Sequence, residues 1–280
     1  MPIRPTWFLI LLTLGGGGAW AAESPQRIVS LSPHITELLF AAGAGDRIVG
    51  VDDSSDYPGG VAGIMRVGEP SALDVEGLLK LKPTLIVLWD SGTPARTIAE
   101  LKRLNLQLYV TDQHHLDDIG TALIQLGRLA GTEMAAAEEA RRYQTELAQL
   151  RAQFKAREPL KVFYQVWDRP LYTLSGIHMI SEVLSLCGGE NIFAELSTLA
   201  PAVDKEAVLA RNPDVILIAA TPAEGKRQSL EWGRFPDLRA VRTHHVFTVD
   251  PTLLGRMAPR ILKGVREVCS VLDTARGKRL

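Results

Sequence analysis

Asp74-Val-Glu76-Gly-Leu-Leu-Lys-Leu-Lys-Pro83-Thr-Leu-Ile-Val-Leu88 is written a second time, 130 residues later, as Asp204-Lys-Glu206-Ala-Val-Leu-Ala-Arg-Asn-Pro213-Asp-Val-Ile-Leu-Ile218. In each copy an aspartate suited to a helix cap opens a short run, a proline follows the glutamate by seven positions, and a string of β-formers follows the proline. Such a stretch folds as a short helix, a turn and a buried strand. Self-similarity at a fixed offset means a repeated structural unit. A second pair agrees with the first: Thr36-Glu37-Leu-Leu-Phe-Ala-Ala-Gly43 against Ser181-Glu182-Val-Leu-Ser-Leu-Cys-Gly188. Strand-like runs precede both (residues 27–31 and 161–166) and follow both (48–51 and 191–193). A third pair is 106–111 against 245–249. Strands alternating with helices predict parallel sheets covered on both faces. The chain is therefore expected to form two α/β lobes of one plan.

Between the copies, residues 132–156 lack glycine and proline, and Ala140, Tyr143, Leu147, Leu150 and Phe154 recur at steps of three and four. This is one face of a helix, closed by Glu158-Pro159. Its position between the repeats predicts a single long connecting helix. The expected organisation is a leader at 1–22, an N-terminal lobe at 23–131, the helix at 132–158, a C-terminal lobe at 159–274 and a tail at 275–280. The leader combines Arg4, an apolar core from Trp7 to Leu14, four glycines and Ala19-Trp20-Ala21, which is the pattern of a secretion signal. Eight apolar residues are too few to span a bilayer. An exported mature protein is the expectation.

Composition narrows the function. The 280 residues carry 31 Lys plus Arg against 32 Asp plus Glu, a net charge of −1, which leaves no electrostatic footprint for nucleic acid or an anionic membrane. An apolar content of 46% excludes disorder as the main state. Cys187 and Cys269 are the two cysteines. In an oxidising compartment such a pair most often forms a disulfide, while a metal pair or a nucleophile would need neighbours that neither has.

No phosphate loop, dinucleotide fingerprint, nucleophile elbow or zinc-protease motif occurs. The pairs His114-His115 and His244-His245 lie at turns, and adjacent residues do not share a face. His178 is the histidine on a plausible cleft loop. The loops that follow strands instead carry Tyr57, Trp89, Trp167 and Arg256, with Tyr172 beyond Trp167. Aromatic faces with donors at the rim suit a large, flat, apolar-faced ligand held between two lobes.

The runs Arg27-Ile-Val-Ser-Leu-Ser-Pro-His-Ile-Thr-Glu-Leu-Leu-Phe-Ala-Ala-Gly43, Asp56-Tyr57-Pro58, Leu186-Cys-Gly-Gly-Glu-Asn-Ile-Phe193 and Ala258-Pro-Arg260 resemble the helical-backbone substrate-binding proteins of ABC importers. The resemblance spans about residues 25–272 and is strongest toward members that carry corrinoids. It implies two Rossmann-like lobes joined by a single long backbone helix, cobalamin or a related corrinoid as transported ligand rather than a catalytic cofactor, and no enzymatic reaction. It also implies a periplasmic monomer that meets a dimeric membrane permease, with one glutamate per lobe, Glu76 and Glu206, facing permease arginines. Trp89, Tyr172 and Arg256 match the ligand positions of that group. The group's further aromatics are missing at Ser54, Pro70 and Ala200, and Trp167 supplies surface in their place. Haem and ferric-siderophore carriers belong to the same class, and for them Tyr57, Tyr172 or His178 would be the iron ligands. An exported metal enzyme built on His114, His115 and Asp117 is the alternative from a different class.

Overall fold

The protein, seen in a computed structural model, is described over residues 27–277; the expected leader at 1–22 lies outside them. The N-terminal half builds strands β1 (Ile28–Ser30), β2 (Ile48–Val51), β3 (Met65–Arg66), a small hairpin β4 (Gly68–Glu69) and β5 (Ala72–Leu73), then β6 (Leu85–Trp89) and β7 (Leu108–Thr111). Between and after them run α1 (Pro33–Ala41), α2 (Val75–Lys80), α3 (Ala95–Arg103) and α4 (Leu116–Ala130). Helix α5 (Glu133–Phe154) follows. The second half holds β8 (Leu160–Gln165), the ribbon β9 (Trp167–Asp168) and β10 (Leu171–Tyr172), then β11 (Gly189–Asn191), β12 (Val215–Ala219) and β13 (Val246–Val249). Its helices are α6 (Met179–Leu186), α7 (Lys205–Arg211), α8 (Pro222–Trp232), α9 (Arg239–Arg242), α10 (Pro251–Leu254) and α11 (Ile261–Ala275).

The repeat read from the sequence is a repeat of topology. The first sheet runs β3-β2-β1-β6-β7 and the second β11-β8-β12-β13, and every pairing in both is parallel. Placing β1 on β8, β2 on β11, β6 on β12 and β7 on β13 gives one strand order, and β3 is an extra edge in the first sheet. Asp74 accepts the Gly77 amide at 2.9 Å and Asp204 the Ala207 amide at 2.7 Å, so both aspartates cap as their spacing predicted. Lys82 and Asn212, each just ahead of its proline, share the left-handed backbone at φ 47° and 46°. The second strand of the C-terminal lobe forms two residues earlier than expected, at Gly189–Asn191. Asn191 ends it by accepting the Phe193 amide on its own side chain at 2.9 Å, which turns Phe193 into the core.

Alternating residues of β6 and β12 face opposite sides of their sheets. Ile86 and Leu88 join Val29, Leu78 and Leu101 in an outer core of the first lobe. Ile216 and Ile218 join Phe163, Val208 and Trp232 in an outer core of the second. The inner faces are different: Leu85 and Val87 belong to the same continuous cluster as Val215 and Leu217, together with Tyr143, Leu147 and Phe154 of α5 and Val265 and Leu272 of α11. Helix α5 folds back on α4 across the left-handed turn at Gly131. Gly127 meets Ala136 so closely there that a side chain on it would collide. The Cys187–Cys269 disulfide is formed and ties the end of α6 to the middle of α11.

Candidate functional site

Parallel sheets gather loops at the C-terminal ends of their strands, where α/β proteins bind ligands. β6 ends on Trp89. Its indole Nε1 donates to Asp112 Oδ1 at 2.6 Å, and Asp112 follows β7, the neighbouring strand. The His34 ring stands edge-on to the same indole, with centroids 5.1 Å apart and planes at 88°. Any side chain at Gly92 would strike the indole, so that glycine keeps its place open. The other oxygen of Asp112, Oδ2, accepts from Ser91 Oγ at 2.9 Å and lies 3.1 Å from His114 Nε2.

His34 follows β1 and was not among the residues picked out by sequence pattern. It is 3% exposed, its Nδ1 lies 2.7 Å from Ser32 Oγ, and its Nε2 has no partner. Burial pushes its pKa down to about 4, against the charge of nearby Asp112 and with that of Arg256, so the ring is neutral at pH 7. The signal that pointed to it was its place: a strand end, directly beside the runs that repeat.

Arg256 and Tyr57 belong to one network. Glu37 of α1, 4% exposed, accepts Arg256 Nη1 at 3.1 Å and Arg260 Nη2 at 2.8 Å. Arg256 also pairs with Asp56, and the Arg260 guanidinium lies 4.3 Å over the Tyr57 ring. The carboxyl of Asp56 is held below the usual range by its bond to Arg256. Tyr57 lines a cavity of about 470 Å³ with Phe40, Tyr143, Pro259 and Lys263, in a crevice between α1, α5 and the start of α11. Trp89, Trp167, Tyr172 and Arg256 do not line that cavity.

Trp167 and Tyr172 are register partners across the β9–β10 ribbon, which projects from the end of β8. Trp167 is 60% exposed. Tyr172 is half-buried and bridges to Ala202. The five ligand residues expected from the sequence therefore fall into three groups: Trp89 with His34 and Asp112, Tyr57 with Arg256 around Glu37, and the Trp167–Tyr172 ribbon. The charge of Arg256 acts on His34, which links the first two groups electrostatically. Among the described residues no ring contact or hydrogen bond ties the ribbon to either. At the sites of the absent aromatics, Ser54 donates to Glu69 at 2.6 Å and the Pro70 carbonyl accepts Thr97 Oγ1 at 2.8 Å.

The remaining histidines are committed elsewhere. His178 caps α6, its Nδ1 accepting the Ile180 amide at 3.1 Å, and burial lowers its pKa to about 4. Asp117 is bonded by both Nη atoms of Arg151, at 2.9 and 2.8 Å, which keeps its carboxylate from joining His114 and His115 in a cation site. Among the described residues no three His, Cys, Asp or Glu side chains are placed to hold a metal ion. Nor is any described helix long and apolar enough to cross a membrane. Glu76 and Glu206 are both exposed in the first turns of α2 and α7. Lys80 lies 2.7 Å from Glu76.

Four similarities to known proteins bear on function. The profile of the periplasmic binding protein family matches residues 28–253. A vitamin B12-binding protein of Vibrio parahaemolyticus is 31% identical over 259 residues, covering 92% of this chain and 94% of that one. Among solved structures, the periplasmic vitamin B12-binding protein BtuF of Vibrio cholerae superposes with a TM-score of 0.84 at 35% identity, covering 91% of this chain and 99% of the other. The haem-binding protein RhuT of Roseiflexus is similar with a TM-score of 0.79 at 25% identity, covering 89% and 98%.

Proposed function

Because this chain belongs to the periplasmic binding protein family, we propose that it captures cobalamin or a related corrinoid between its two lobes and hands it to an ABC importer. The observation that carries the reading is Trp89: an aromatic face fixed at a strand end by Asp112 and His34, in a chain that matches vitamin B12-binding proteins over nine-tenths of its length. Flat ligands stack on such a face. Arg256 and Tyr57 supply donors and a second ring, and Trp167 with Tyr172 offers a further aromatic surface on the ribbon. No chemical step is assigned to the ligand, and the protein's work is capture and release. The mature chain starts after the leader at 1–22 and acts in the periplasm as a monomer. Residues 23–131 and 159–274 form the two lobes, and α5 between them is the stiff connector. Glu76 and Glu206, one on each lobe, are the contacts to the permease dimer.

Calorimetric titration of the purified mature protein with cyanocobalamin tests the reading. Saturable heat with a stoichiometry of one supports it, and no heat with no thermal stabilisation at saturating cyanocobalamin refutes it. Similarity to RhuT gives haem as the second reading. Its mark is a Soret band shifted on addition of haemin. The cap made by His178 weighs against that residue as an axial ligand, because its Nδ1 already accepts a backbone amide.

A further inference from the structure

Glu37 and Glu182 occupy one place in the repeat, in the helix that follows the first strand of each lobe. Neither side chain stays in its own lobe. Glu37 reaches Arg256 and Arg260, which follow β13, the last strand of the C-terminal lobe. Glu182 reaches the segment after β7, the last strand of the N-terminal lobe, where its Oε2 accepts the Leu116 amide at 2.9 Å and lies 3.6 Å from His115 Nδ1. Its Oε1 accepts Arg151 Nη2 from α5 at 2.8 Å. Strands β7 and β13 are themselves equivalent. The two lobes thus exchange one carboxylate each, and each carboxylate holds the other lobe's last loop.

What those loops carry gives the exchange its purpose. The loop after β13 bears Arg256. The loop after β7 bears Asp112, which sets the indole of Trp89. We infer that Glu37 and Glu182 are reciprocal positioning residues: Glu37 aims Arg256 into the cleft, and Glu182 holds the 112–116 loop so that Asp112 fixes Trp89. This rests on the reading that Trp89 and Arg256 face the corrinoid. The two ties differ in kind. Glu37 is buried and serves two partly buried guanidiniums, so its charge matters: a neutral partner would leave Arg256 with Asp56 alone and Arg260 with no carboxylate among the described residues. Glu182 holds the loop through a backbone amide, which a neutral carbonyl can also accept, and its Arg151 partner keeps Asp117 when that charge is removed.

Hydrogen exchange on the chain without corrinoid tests the ties whatever the protein binds. Glu182→Ala is expected to speed exchange about tenfold or more at residues 112–117 of the opposite lobe, and Glu37→Ala to do the same at 252–260, with the interior strands β6 and β12 unchanged. Glu182→Gln restores slow exchange and Glu37→Gln does not. Where Glu37→Ala does not accumulate as folded protein, Arg260→Gln breaks the same tie from its other end and must loosen 252–260. Cyanocobalamin titration then reads the positioning. Glu37→Gln weakens binding about tenfold in the wild-type background and less than twofold once Arg256→Ala is present, since residues acting through one another are not additive. Exchange that rises uniformly over the chain, or does not change, overturns the ties. Additive losses of cyanocobalamin affinity overturn the positioning role, and a wild-type chain that ignores cyanocobalamin overturns the corrinoid reading while leaving the exchange result to stand.

Discussion

Trp89 is held on two sides, by a hydrogen bond at its nitrogen and by the edge of a buried histidine, so the corrinoid proposed for this site would meet an indole whose orientation is already set. Little ordering entropy is then spent on stacking. Trp89→Ala is expected to weaken cyanocobalamin by about 1–3 kcal/mol with the fold intact; calorimetry and a melting curve check both halves. Trp167, mostly exposed on its ribbon, is free to move and should lose less on the same change. His34 adds a pH signature. Its pKa near 4 lies below the 6.5 of an unfolded histidine, so on acidification the unfolded chain takes up the proton first. Stability attributable to His34 is intact above pH 6.5 and is lost as pH falls toward 4, by about 2 kcal/mol between pH 7 and 5. Buried Asp52, whose pKa is raised to about 6 by desolvation, works in the opposite sense over the same range. The two are separated by difference: the stability gap between wild type and His34→Gln should shrink by about 2 kcal/mol from pH 7 to pH 5 in denaturant titrations. A constant gap would mean that His34 takes up its proton at the same pH in the folded and the unfolded chain.

At the level of elements, the repeat made the fold legible, because it shows the same punctuation twice: Asp cap, seven-residue spacing, proline, apolar run. Such punctuation is local, and contacts across the chain leave no mark in it. Glu37 lies in the middle of α1, and its arginine partners lie more than 200 positions away. The burial of His34 against Trp89 is likewise a property of two strand ends brought side by side by the sheet. Asn191 shows the reverse, a local device: its side chain accepts the amide of Phe193 two residues on and ends a strand the apolar run alone would extend. The paired turns before Pro83 and Pro213 yield a prediction of opposite signs. Lys82 and Asn212 both adopt φ near +46°, which disfavours an ordinary side chain by about 1 kcal/mol and suits asparagine. Asn212 further accepts the Arg239 amide at 2.9 Å. Lys82→Asn should therefore raise stability by up to about 1 kcal/mol, and Asn212→Lys should lower it by about 1–2 kcal/mol, measured as midpoints of denaturant unfolding at unchanged slope.

In the whole molecule, the inner faces of both sheets share one apolar cluster with α5 and α11. Separating the lobes would open that cluster to water, so the distance between α2 and α7 is a property of the fold and changes little when a ligand arrives. Glu76 and Glu206 ride on those two helices at equivalent places, both exposed, and a twofold permease needs the same charge at both ends of a pseudo-twofold partner. They are not equal, however. Lys80 sits 2.7 Å from Glu76 and offsets part of its field, whereas no described ion pair reaches Glu206. Exposed charges of this kind act mainly on orientation and association rate, and their effect falls with salt. Reversing both, Glu76→Arg with Glu206→Arg, should leave cyanocobalamin affinity unchanged and abolish uptake in a transport assay. Of the two single reversals, Glu206→Arg should slow association with the permease more at low salt, and Lys80→Gln should speed it. Retained uptake in the double variant, or cyanocobalamin binding lost along with it, would remove these glutamates from the docking surface.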